Sequence, residues 1–392
     1  MSSLEVKSAE NPYWRSLEEL ADSPQFRVWL EAEFPSQAEA AGMSRRRWLQ
    51  LMGASLALAG VGGCRWQKSE ILPFARRPRQ RIPGVPEQFA TAMELGEGAL
   101  GLLVTSYDGR PIKVEGNPSH PQSLGATDAL AQAAVLELYD PDRSQAVIEQ
   151  AAQPEGRTWE DFTRLVASRR GQWKATQGKG LCVLAQPSTS PTLGRLRDFL
   201  LTRLPQAQWF EYEPLAWDHP REGARLAFGR PVRMQLVLDQ ATVIAALDSD
   251  FLAWHPAAVR CARDFASRRD ANGPWMNRLY VVESTLTLTG AAADHRLALQ
   301  AGLIAPFARA LLETVRRDLA TGRASQPHTD DAKPRRFLAA LAGDLVMAAQ
   351  QGRPTLVIAG PRQPPEVHAL VYHLNHLLGN VGKSVWYSED PR

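Results

Sequence analysis

The sequence predicts an α/β fold in which helices cover both faces of a doubly wound, mostly parallel sheet. After residue 150, short apolar runs typical of buried strands alternate with longer helical patterns, and this alternation is typical of parallel sheets. A hairpin-like segment near residues 102–115 precedes this region and predicts a small sheet domain. Apolar residues make up 44% and charged residues 22% of the chain, which is ordinary for a soluble globular protein and excludes a polytopic membrane protein.

The hairpin-like segment contains two candidate strands, residues 102–106 and 111–115. Asp108-Gly109 lies between them, and this dipeptide favours a two-residue hairpin turn. Gly116-Asn117-Pro118 then ends the second strand. We therefore expect a small β-rich domain over residues 65–150, followed by an α/β domain over residues 151–392.

The α/β domain is predicted element by element from its apolar runs and helical periodicity. The expected strands, of which the first is predicted to be buried, are residues 181–185, 209–212, 241–247, 278–283, 355–359 and 384–387. The expected helices are residues 192–204, 256–268, 301–319, 335–351 and 365–378. A polar loop that contains prolines, residues 326–334, separates two of the long helices.

Two predicted strand ends, Asp248-Ser249-Asp250 and Ala359-Gly360-Pro361, lie at the edge where open α/β sheets bind ligands, and they could once have held a dinucleotide-like cofactor. Asp248, Asp250 and Asp294 could form an acid cluster, but we favour capping of the strand ends. None of the predicted strands is followed by a G-x-G-x-x-G fingerprint, and no P-loop is present. The sequence thus offers no standard motif for a nucleotide at these strand ends.

Three histidines lie on one predicted helix, His368, His373 and His376. A zinc site would prefer i, i+4 pairs with a third ligand, whereas these histidines are five and three residues apart. Packed or solvated histidines are therefore favoured over a metal site. The eleven tryptophans are scattered along the chain, and we interpret them as core or interface residues.

Charge and cysteine counts exclude several functions. The formal net charge is +3, from 45 basic and 42 acidic residues, which argues against a nucleic-acid-binding protein because such proteins need a basic excess. The three cysteines, Cys64, Cys182 and Cys261, are far apart. They cannot form a four-thiolate iron–sulfur site, a CxxC pair or a disulfide framework.

A candidate export signal begins with Ser44, Arg45, Arg46, Trp48 and Leu49 and fills residues 44–64. The 13 residues 51–63 carry no charge; as a helix they would span about 20 Å, less than the roughly 30 Å of a bilayer core. Twin arginines before a short, weakly apolar stretch are typical of a Tat signal. The alternative is a buried helix after a basic turn.

Two features flank this signal. Residues 1–43 form an extension in which Trp14, Leu17 and Leu20 recur at helical spacing, so the extension could dock on a partner or be a loosely ordered leader. Val61-Gly62-Gly63 precedes Cys64 as in a lipobox. Cys64 is therefore either an acylated anchor or a small buried cysteine.

Together these segments resemble the molybdopterin oxidoreductases, and most closely the iron–sulfur subunit of alternative complex III with its extended Tat signal. The segments that carry the resemblance include Ile71-Leu72-Pro73-Phe74, His120-Pro121, Pro141-Asp142-Arg143-Ser144, Arg263-Asp264-Phe265, Glu283-Ser284-Thr285, Asp294-His295-Arg296 and Asn380-Val381-Gly382. The resemblance implies a molybdopterin-oxidoreductase-like fold that runs on beyond Arg392. We therefore expect a fold that is incomplete at the C-terminus, with an exposed sheet edge that a missing half would cover.

The resemblance also shows what this chain lacks. Catalytic relatives carry a CxxCxxxC cluster motif, but no cysteine lies between Cys64 and Cys182. Asp128 stands where their fourth cluster ligand would be, and a carboxylate is a poor substitute for a thiolate. No serine, cysteine or aspartate can be assigned as a molybdenum ligand. The resemblance thus implies no catalytic, cofactor-binding or metal-ligating residue in this chain.

The expected function follows from the resemblance. We expect an exported part of a membrane-bound, quinol-oxidising electron-transfer complex, not catalytic alone, which serves as a scaffold beside membrane quinol-oxidising subunits and multihaem cytochrome subunits. Iron–sulfur clusters are expected in the missing C-terminal region or in a partner. The Tat translocase would deliver the chain to the periplasmic face of the membrane, with Cys64 as a lipid anchor if it is acylated.

Two other functions stay open at this point. The chain could be a fragment of a genuine molybdopterin-dependent oxidoreductase whose catalytic residues lie outside it. It could also be a lipid-anchored binding protein with a decayed sheet.

Overall fold

The computed structural model describes the chain from the small sheet domain onwards. The described residues are Pro24, Val28, Ile82, 84–95, 98–144, 146–149, 155–214, 217–330 and 332–390. The chain divides into two units, Met1–Arg79 and Gln80–Arg392, and the architecture below belongs to the second. Within the described part of the chain, every helix is too short or too polar to cross a bilayer.

The predicted export signal cannot be placed in this architecture. Its residues lie outside the described ranges; they are Ser44, Arg45, Arg46, Trp48, Leu49 and Cys64. The Tat and lipid-anchor interpretations therefore stay predictions.

The small domain is an antiparallel meander of three strands with one helix. Its elements are β1 (Glu87–Leu95), β2 (Gly98–Tyr107), β3 (Arg110–Gly116) and α1 (Ala129–Glu137). Asp108 and Gly109 both have positive φ, 49° and 85°, as a type I′ hairpin turn requires. The predicted hairpin is confirmed, and β1 adds a strand on its other side that the sequence analysis missed.

The α/β domain follows with its elements in the predicted alternation. Its strands are β4 (Val147–Glu149), β5 (Glu155–Arg157), β6 (Cys182–Ala185), β7 (Gln208–Glu211), β8 (Val232–Leu236), β9 (Val243–Leu247), β10 (Arg278–Glu283), β11 (His295–Ala298), β12 (Thr355–Ala359) and β13 (Val385–Glu389). Its helices are α2 (Trp159–Ala175), α3 (Pro191–Arg203), α4 (Asp218–Phe228), α5 (Ala258–Ala266), α6 (Leu288–Ala291), α7 (Ala301–Thr321), α8 (Lys333–Gln350) and α9 (Pro365–Leu377).

A parallel sheet of four strands, in the order β11-β10-β9-β12, forms the centre of this domain. Both of its faces are covered. One face packs on α7, α8 and α9 through side chains such as Leu247, Ile304 and Leu345. The other packs on α5 and β13 through Ile244 and Phe265, among others. Strands buried on both sides require near-continuous apolar runs, and the predicted doubly wound sheet is confirmed.

Three predicted strands lie outside this sheet. β6 and β7 form a separate parallel pair, and β6 is at most half-buried along its length, so the prediction of a buried strand at residues 181–185 is wrong. Leu184 and Phe210 of this pair are 73% and 49% exposed, so little packs on its faces. β13 pairs antiparallel with β8, because the chain turns back through Gly379 and Gly382, both at positive φ.

The outer edge of β12 is closed by side chains rather than by another strand. The carboxamide of Asn375 accepts a hydrogen bond from Val357 N at 3.0 Å and donates one to Val357 O at 2.8 Å. Asn380 Oδ1 accepts from Thr355 N at 2.9 Å, and Ser384 donates to Thr355 O. The expected open edge is therefore wrong for β12, because these buried side chains satisfy its backbone groups.

Hydrogen bonds join the small sheet to the α/β domain. Glu94 of β1 accepts from Ser188 Oγ at 2.6 Å and from Thr189 Oγ1 at 2.9 Å. Burial opposes ionisation of Glu94, but these hydrogen bonds outweigh it and lower its pKa. From the other side, Arg260 of α5 donates to the Pro121 carbonyl at 3.2 Å. The two domains thus enclose the space between them.

Candidate functional site

A cavity of about 270 Å³ lies where the small sheet meets the carboxyl ends of the central strands. From β9 the chain continues to β10 on one side of that strand, whereas β12 pairs with β9 on its other side. The strand order therefore reverses at β9, and open α/β sheets bind ligands at such a topological switch point. The lining combines β2, β8, the end of β12, the loop before α5 and the buried face of α9. A neighbouring cavity of about 560 Å³ shares Gly98, Gln122, Trp217, His255, Pro256 and Ala257 with it.

The two strands that form the switch point approach closely at Gly360. The Gly360 N–H donates to Leu247 O at 2.9 Å, and a Cβ on Gly360 would lie 1.7 Å from Asp248 O. Gln363 Nε2 donates to Asp248 Oδ2 at 2.9 Å. Only glycine permits this approach, which brings the end of β12 and the start of α9 beside β9.

His255 is one of two histidines in the lining, and it is partly buried. Its Nδ1 accepts from Ala257 N at 3.1 Å, and its ring meets the edge of Trp217 with centroids 5.5 Å apart. Burial lowers the pKa of His255 to about 4. The imidazole is therefore neutral at physiological pH.

His368 is the second histidine in the lining, and it is only 4% exposed. Burial, with a smaller contribution from nearby His219, lowers its pKa to about 4, while the backbone of Gly360 and Gln363 favours the protonated ring. Its Nε2 is buried and has no hydrogen-bond partner among the described residues. A buried polar atom without a partner is costly, so this nitrogen marks a position where a further group would be stabilised.

Two arginines in the lining are matched by a buried acid. Arg221 and Arg233 lie 2.5 and 3.4 Å from the carboxylate of Asp390, whose side chain is fully buried. Burial lowers the pKa of Arg233, and Asp390 opposes that effect. Glu94 adds a second negative charge near Arg233. The positive charges at this wall are thus balanced by carboxylates of the same chain.

The alternative acid cluster of Asp248, Asp250 and Asp294 does not exist as one site. Asp250 Oδ1 accepts from Thr289 N and Oγ1, at 3.0 and 2.7 Å, and none of the three aspartates lines either cavity. Asp294 pairs with Arg269, with two contacts of 2.9 Å. Together with the Asp248–Gln363 bond, these partners confirm the interpretation that the aspartates cap strand ends and loops.

The helical histidines also separate as predicted. His368 is buried in the cavity wall, whereas His373 and His376 are exposed elsewhere on α9. No group of three histidine, cysteine or carboxylate side chains converges as a metal site within the described ranges. Asp128, which the sequence resemblance aligns with the fourth cluster ligand, caps α1 by accepting from Ala131 N at 2.7 Å.

Sequence reasoning missed most of the cavity wall. His255, Arg221, Arg233 and Asp390 come from segments that are far apart in the chain, and no local motif joins them. One signal was available, because Trp254-His255-Pro256 and Trp217-Asp218-His219-Pro220 are similar segments that both contribute to the lining. Two such segments in an ordinary soluble domain could have indicated a shared aromatic wall.

Comparison with known proteins supports the fold assignment. No protein-family model matches the sequence. A curated protein, the menaquinone reductase, molybdopterin-binding-like subunit of Nitratidesulfovibrio vulgaris (strain Hildenborough), is 24% identical over 283 residues, which are 70% of this chain and 38% of that protein. Acetylene hydratase from Pelobacter acetylenicus has a similar structure, with a TM-score of 0.52 and 13% identity over 74% of this chain and 43% of that one.

These comparisons show a molybdopterin-oxidoreductase-like α/β fold, as the sequence predicts. The chain spans about two fifths of the length of the proteins that it matches. Because the identity to acetylene hydratase is only 13%, this structural similarity supports the fold and nothing more.

Proposed function

We propose that this chain is a non-catalytic scaffold within a membrane-bound, quinone-linked electron-transfer complex. The name of the curated relative, a molybdopterin-binding-like subunit of a menaquinone reductase, supports this assignment. So does the molybdopterin-oxidoreductase-like fold. In this role the chain holds an iron–sulfur region and multihaem cytochrome subunits beside the membrane subunits that react with quinone.

The role of Asp128 carries the non-catalytic part of the proposal. In the position that the resemblance assigns to a cluster ligand, the Asp128 carboxylate accepts a hydrogen bond from the first turn of α1. No cysteine lies between Cys64 and Cys182. A four-iron cluster is held by thiolates. The residues around α1 therefore do not fit an iron–sulfur cluster.

The cavity lining likewise does not fit a molybdopterin dinucleotide. The phosphates of such a group need cationic side chains or backbone N–H groups at the carboxyl ends of the strands. Arg221 and Arg233 face the buried Asp390, and His255 and His368 are neutral. We therefore propose that this chain carries no cofactor, and that the clusters of the complex lie in a C-terminal region or in a partner.

Metal analysis of the intact membrane complex tests the scaffold role. The complex is purified through a tag on this chain, and molybdenum, tungsten, iron and haem are measured per copy. We expect iron and haem without molybdenum or tungsten. Stoichiometric molybdenum or tungsten would instead show that the chain belongs to a genuine molybdopterin enzyme, and absence of haem and iron would contradict the complex.

The direction of electron flow is a separate question. The relative is named as a quinone reductase, whereas the resemblance to alternative complex III favours quinol oxidation. We propose quinol oxidation for this chain's complex. Purified complex that oxidises menaquinol with a cytochrome acceptor supports this direction, and complex that only reduces menaquinone contradicts it.

Export by Tat to the periplasmic face of the membrane is part of the same proposal. Replacing Arg45 and Arg46 by lysine should abolish export, because the translocase receptor reads the paired guanidinium groups. Arg47→Lys is the matched control and should be exported normally. Labelling with radioactive palmitate, compared with Cys64→Ser, shows whether Cys64 anchors the chain; export that survives the double substitution contradicts the signal.

A further inference from the structure

The cavity wall contains two buried polar atoms that no described residue satisfies. One is Nε2 of His368 and the other is Oε1 of Gln122, and both side chains line the cavity of about 270 Å³. Neither atom belongs to the ion pairs or caps described above. A buried polar atom without a partner is costly, so these two atoms mark positions where a bound group would be stabilised.

The chemistry of His368 determines what that ligand must offer. The backbone of Gly360 and Gln363 favours the protonated ring, as carbonyl oxygens do when an imidazole N–H donates to them. Nε2 is the nitrogen without a partner, so the N–H is on Nδ1. A neutral imidazole has one donor and one acceptor nitrogen, and Nε2 is then the acceptor. The ligand must bring an O–H or N–H group to it.

The charges around the cavity indicate an uncharged ligand. Arg221 and Arg233 are opposed by Asp390 and Glu94, and His255 and His368 are neutral at physiological pH. Neither an anion nor a cation would find an unbalanced charge of opposite sign here. Its burial would cost desolvation energy without compensation.

The remaining walls are apolar and partly aromatic. Trp217 and Tyr372 present rings, and Met234, Ile358 and Val371 present aliphatic surface. Flat aromatic molecules gain most from such walls, through edge and face contacts with the rings. A volume of about 270 Å³ is just below the roughly 300 Å³ at which typical ligand pockets begin, so the cavity admits only a small molecule.

We propose that this cavity binds one small, uncharged aromatic molecule that carries a hydroxyl group. The hydroxyl donates its hydrogen bond to Nε2 of His368, and the ring lies against Trp217 and the aliphatic wall. The ring of a quinol and other hydroxylated aromatic compounds share this chemistry. The site does not depend on the scaffold role proposed above, and it differs in charge from a dinucleotide site.

Calorimetric titration of the full chain with three matched probes tests the proposal. We expect 2-naphthol to bind with a stoichiometry of one. We expect 2-methoxynaphthalene, which cannot donate, and the anion naphthalene-2-sulfonate to bind at least about tenfold more weakly, the usual effect of one lost buried hydrogen bond. Equal binding of all three probes, or no binding of 2-naphthol, overturns the proposal.

Variants locate the site. His368→Phe keeps a ring but removes Nε2, and should weaken 2-naphthol binding about tenfold, whereas His376→Phe, at an exposed position of the same helix, should leave it unchanged. In the wild type, ¹⁵N NMR of the His368 imidazole should show Nε2 shifting on addition of 2-naphthol, and an unchanged resonance would place binding elsewhere.

A fourth probe distinguishes the two sources of the hydroxyl group. Under anaerobic conditions, the reduced form of 2-methyl-1,4-naphthoquinone is titrated beside 2-naphthol. Binding at least as tight as that of 2-naphthol assigns the cavity to a quinol ring. Weaker binding assigns it to other hydroxylated aromatics, and a loss of dependence on His368 for both probes contradicts the site.

Discussion

Gly360 shows how much of the site depends on one residue. Its position brings the end of β12 against β9, and a Cβ there would lie 1.7 Å from Asp248 O. Real Cβ atoms do not approach a backbone oxygen so closely, so the backbone of both strand ends would have to move. Even the methyl group of an alanine at position 360 should therefore disturb the geometry of the switch point.

We expect Gly360→Ala to lower the free energy of unfolding by at least about 2 kcal/mol, because overpacking at a rigid backbone contact has no easy relief. Gly194→Ala in α3 is the control, since nothing lies within 4 Å of its Cβ position. It should stabilise the protein by up to about 1 kcal/mol, as alanine does in a helix interior. Urea unfolding measures both, and equal midpoints for Gly360→Ala and wild type would contradict the close approach.

The two described cysteines should differ sharply in reactivity. Cys182 is exposed and Cys261 is buried, and burial, with a smaller contribution from Asp264, raises the pKa of Cys261 to about 12. The thiolate is the reactive form. In a Cys64→Ser background, a disulfide reagent at pH 8 should titrate one thiol quickly in the native protein and the second only after unfolding. Rapid reaction of two thiols would show that α5 does not protect Cys261.

At the scale of elements, the asparagine pair of α9 and its following loop replaces a strand beside β12. Asn375 is fully buried and bonds both backbone groups of Val357. Asn375→Leu keeps the approximate volume but leaves those groups unsatisfied. We expect a loss of roughly 2–5 kcal/mol, since each buried unsatisfied group costs about 1–3 kcal/mol.

Two measurements check this expectation. Urea unfolding gives the stability change, and hydrogen exchange of the Val357 amide reports on the edge itself. His376→Ala, on the exposed side of the same helix, should change neither. Slow exchange of Val357 in the Asn375→Leu protein would show that another group covers the edge.

Three of the four strands of the central sheet, β9, β10 and β12, could be predicted from sequence because burial on two faces requires a continuous apolar run. β11 was missed because it is short and only Leu297 in it is buried. The predicted bounds of β10 and β12 agree with the structure. β8 was missed because Arg233 interrupts its pattern, and the acid that balances it, Asp390, is distant in the chain. α4 was missed because it is short and contains Pro220 and Gly223.

The candidate site was less predictable for the same physical reason. Its lining combines β2, β8, α9 and the loops before α4 and α5, and only the tertiary fold brings these segments together. The strand-end aspartates can be recognised in the sequence, but their carboxylates already accept hydrogen bonds within the fold. Local periodicity thus predicted the central strands beside the cavity but not the residues that line it.

At the scale of the whole molecule, two histidines of the cavity wall, His255 and His368, should make the fold sensitive to acid. The pKa values of His255 and His368 fall from 6.5 to about 4 on folding. Between these values the unfolded chain binds more protons than the native one, so stability falls as the pH decreases from 6.5 to 4. Each histidine contributes on the order of 3 kcal/mol to this loss.

Urea unfolding at several pH values between 7.5 and 4.5 tests this dependence. His368→Gln removes one of the two titrations and should flatten the decline of stability by about half. His376→Gln, at an exposed histidine, should follow the wild type. If His368→Gln and wild type decline in parallel, His368 titrates alike in the folded and unfolded chains.

The closed edge of β12 has a consequence for how the protein behaves in a crowded compartment. An exposed strand edge is a template on which a second chain can add, and such addition starts domain swapping and fibril growth. With Thr355 and Val357 already bonded to Asn380 and Asn375, β12 offers no such template, although it is among the most apolar segments of the molecule. A chain that loses Asn375 should therefore aggregate more readily on heating, through β12 itself.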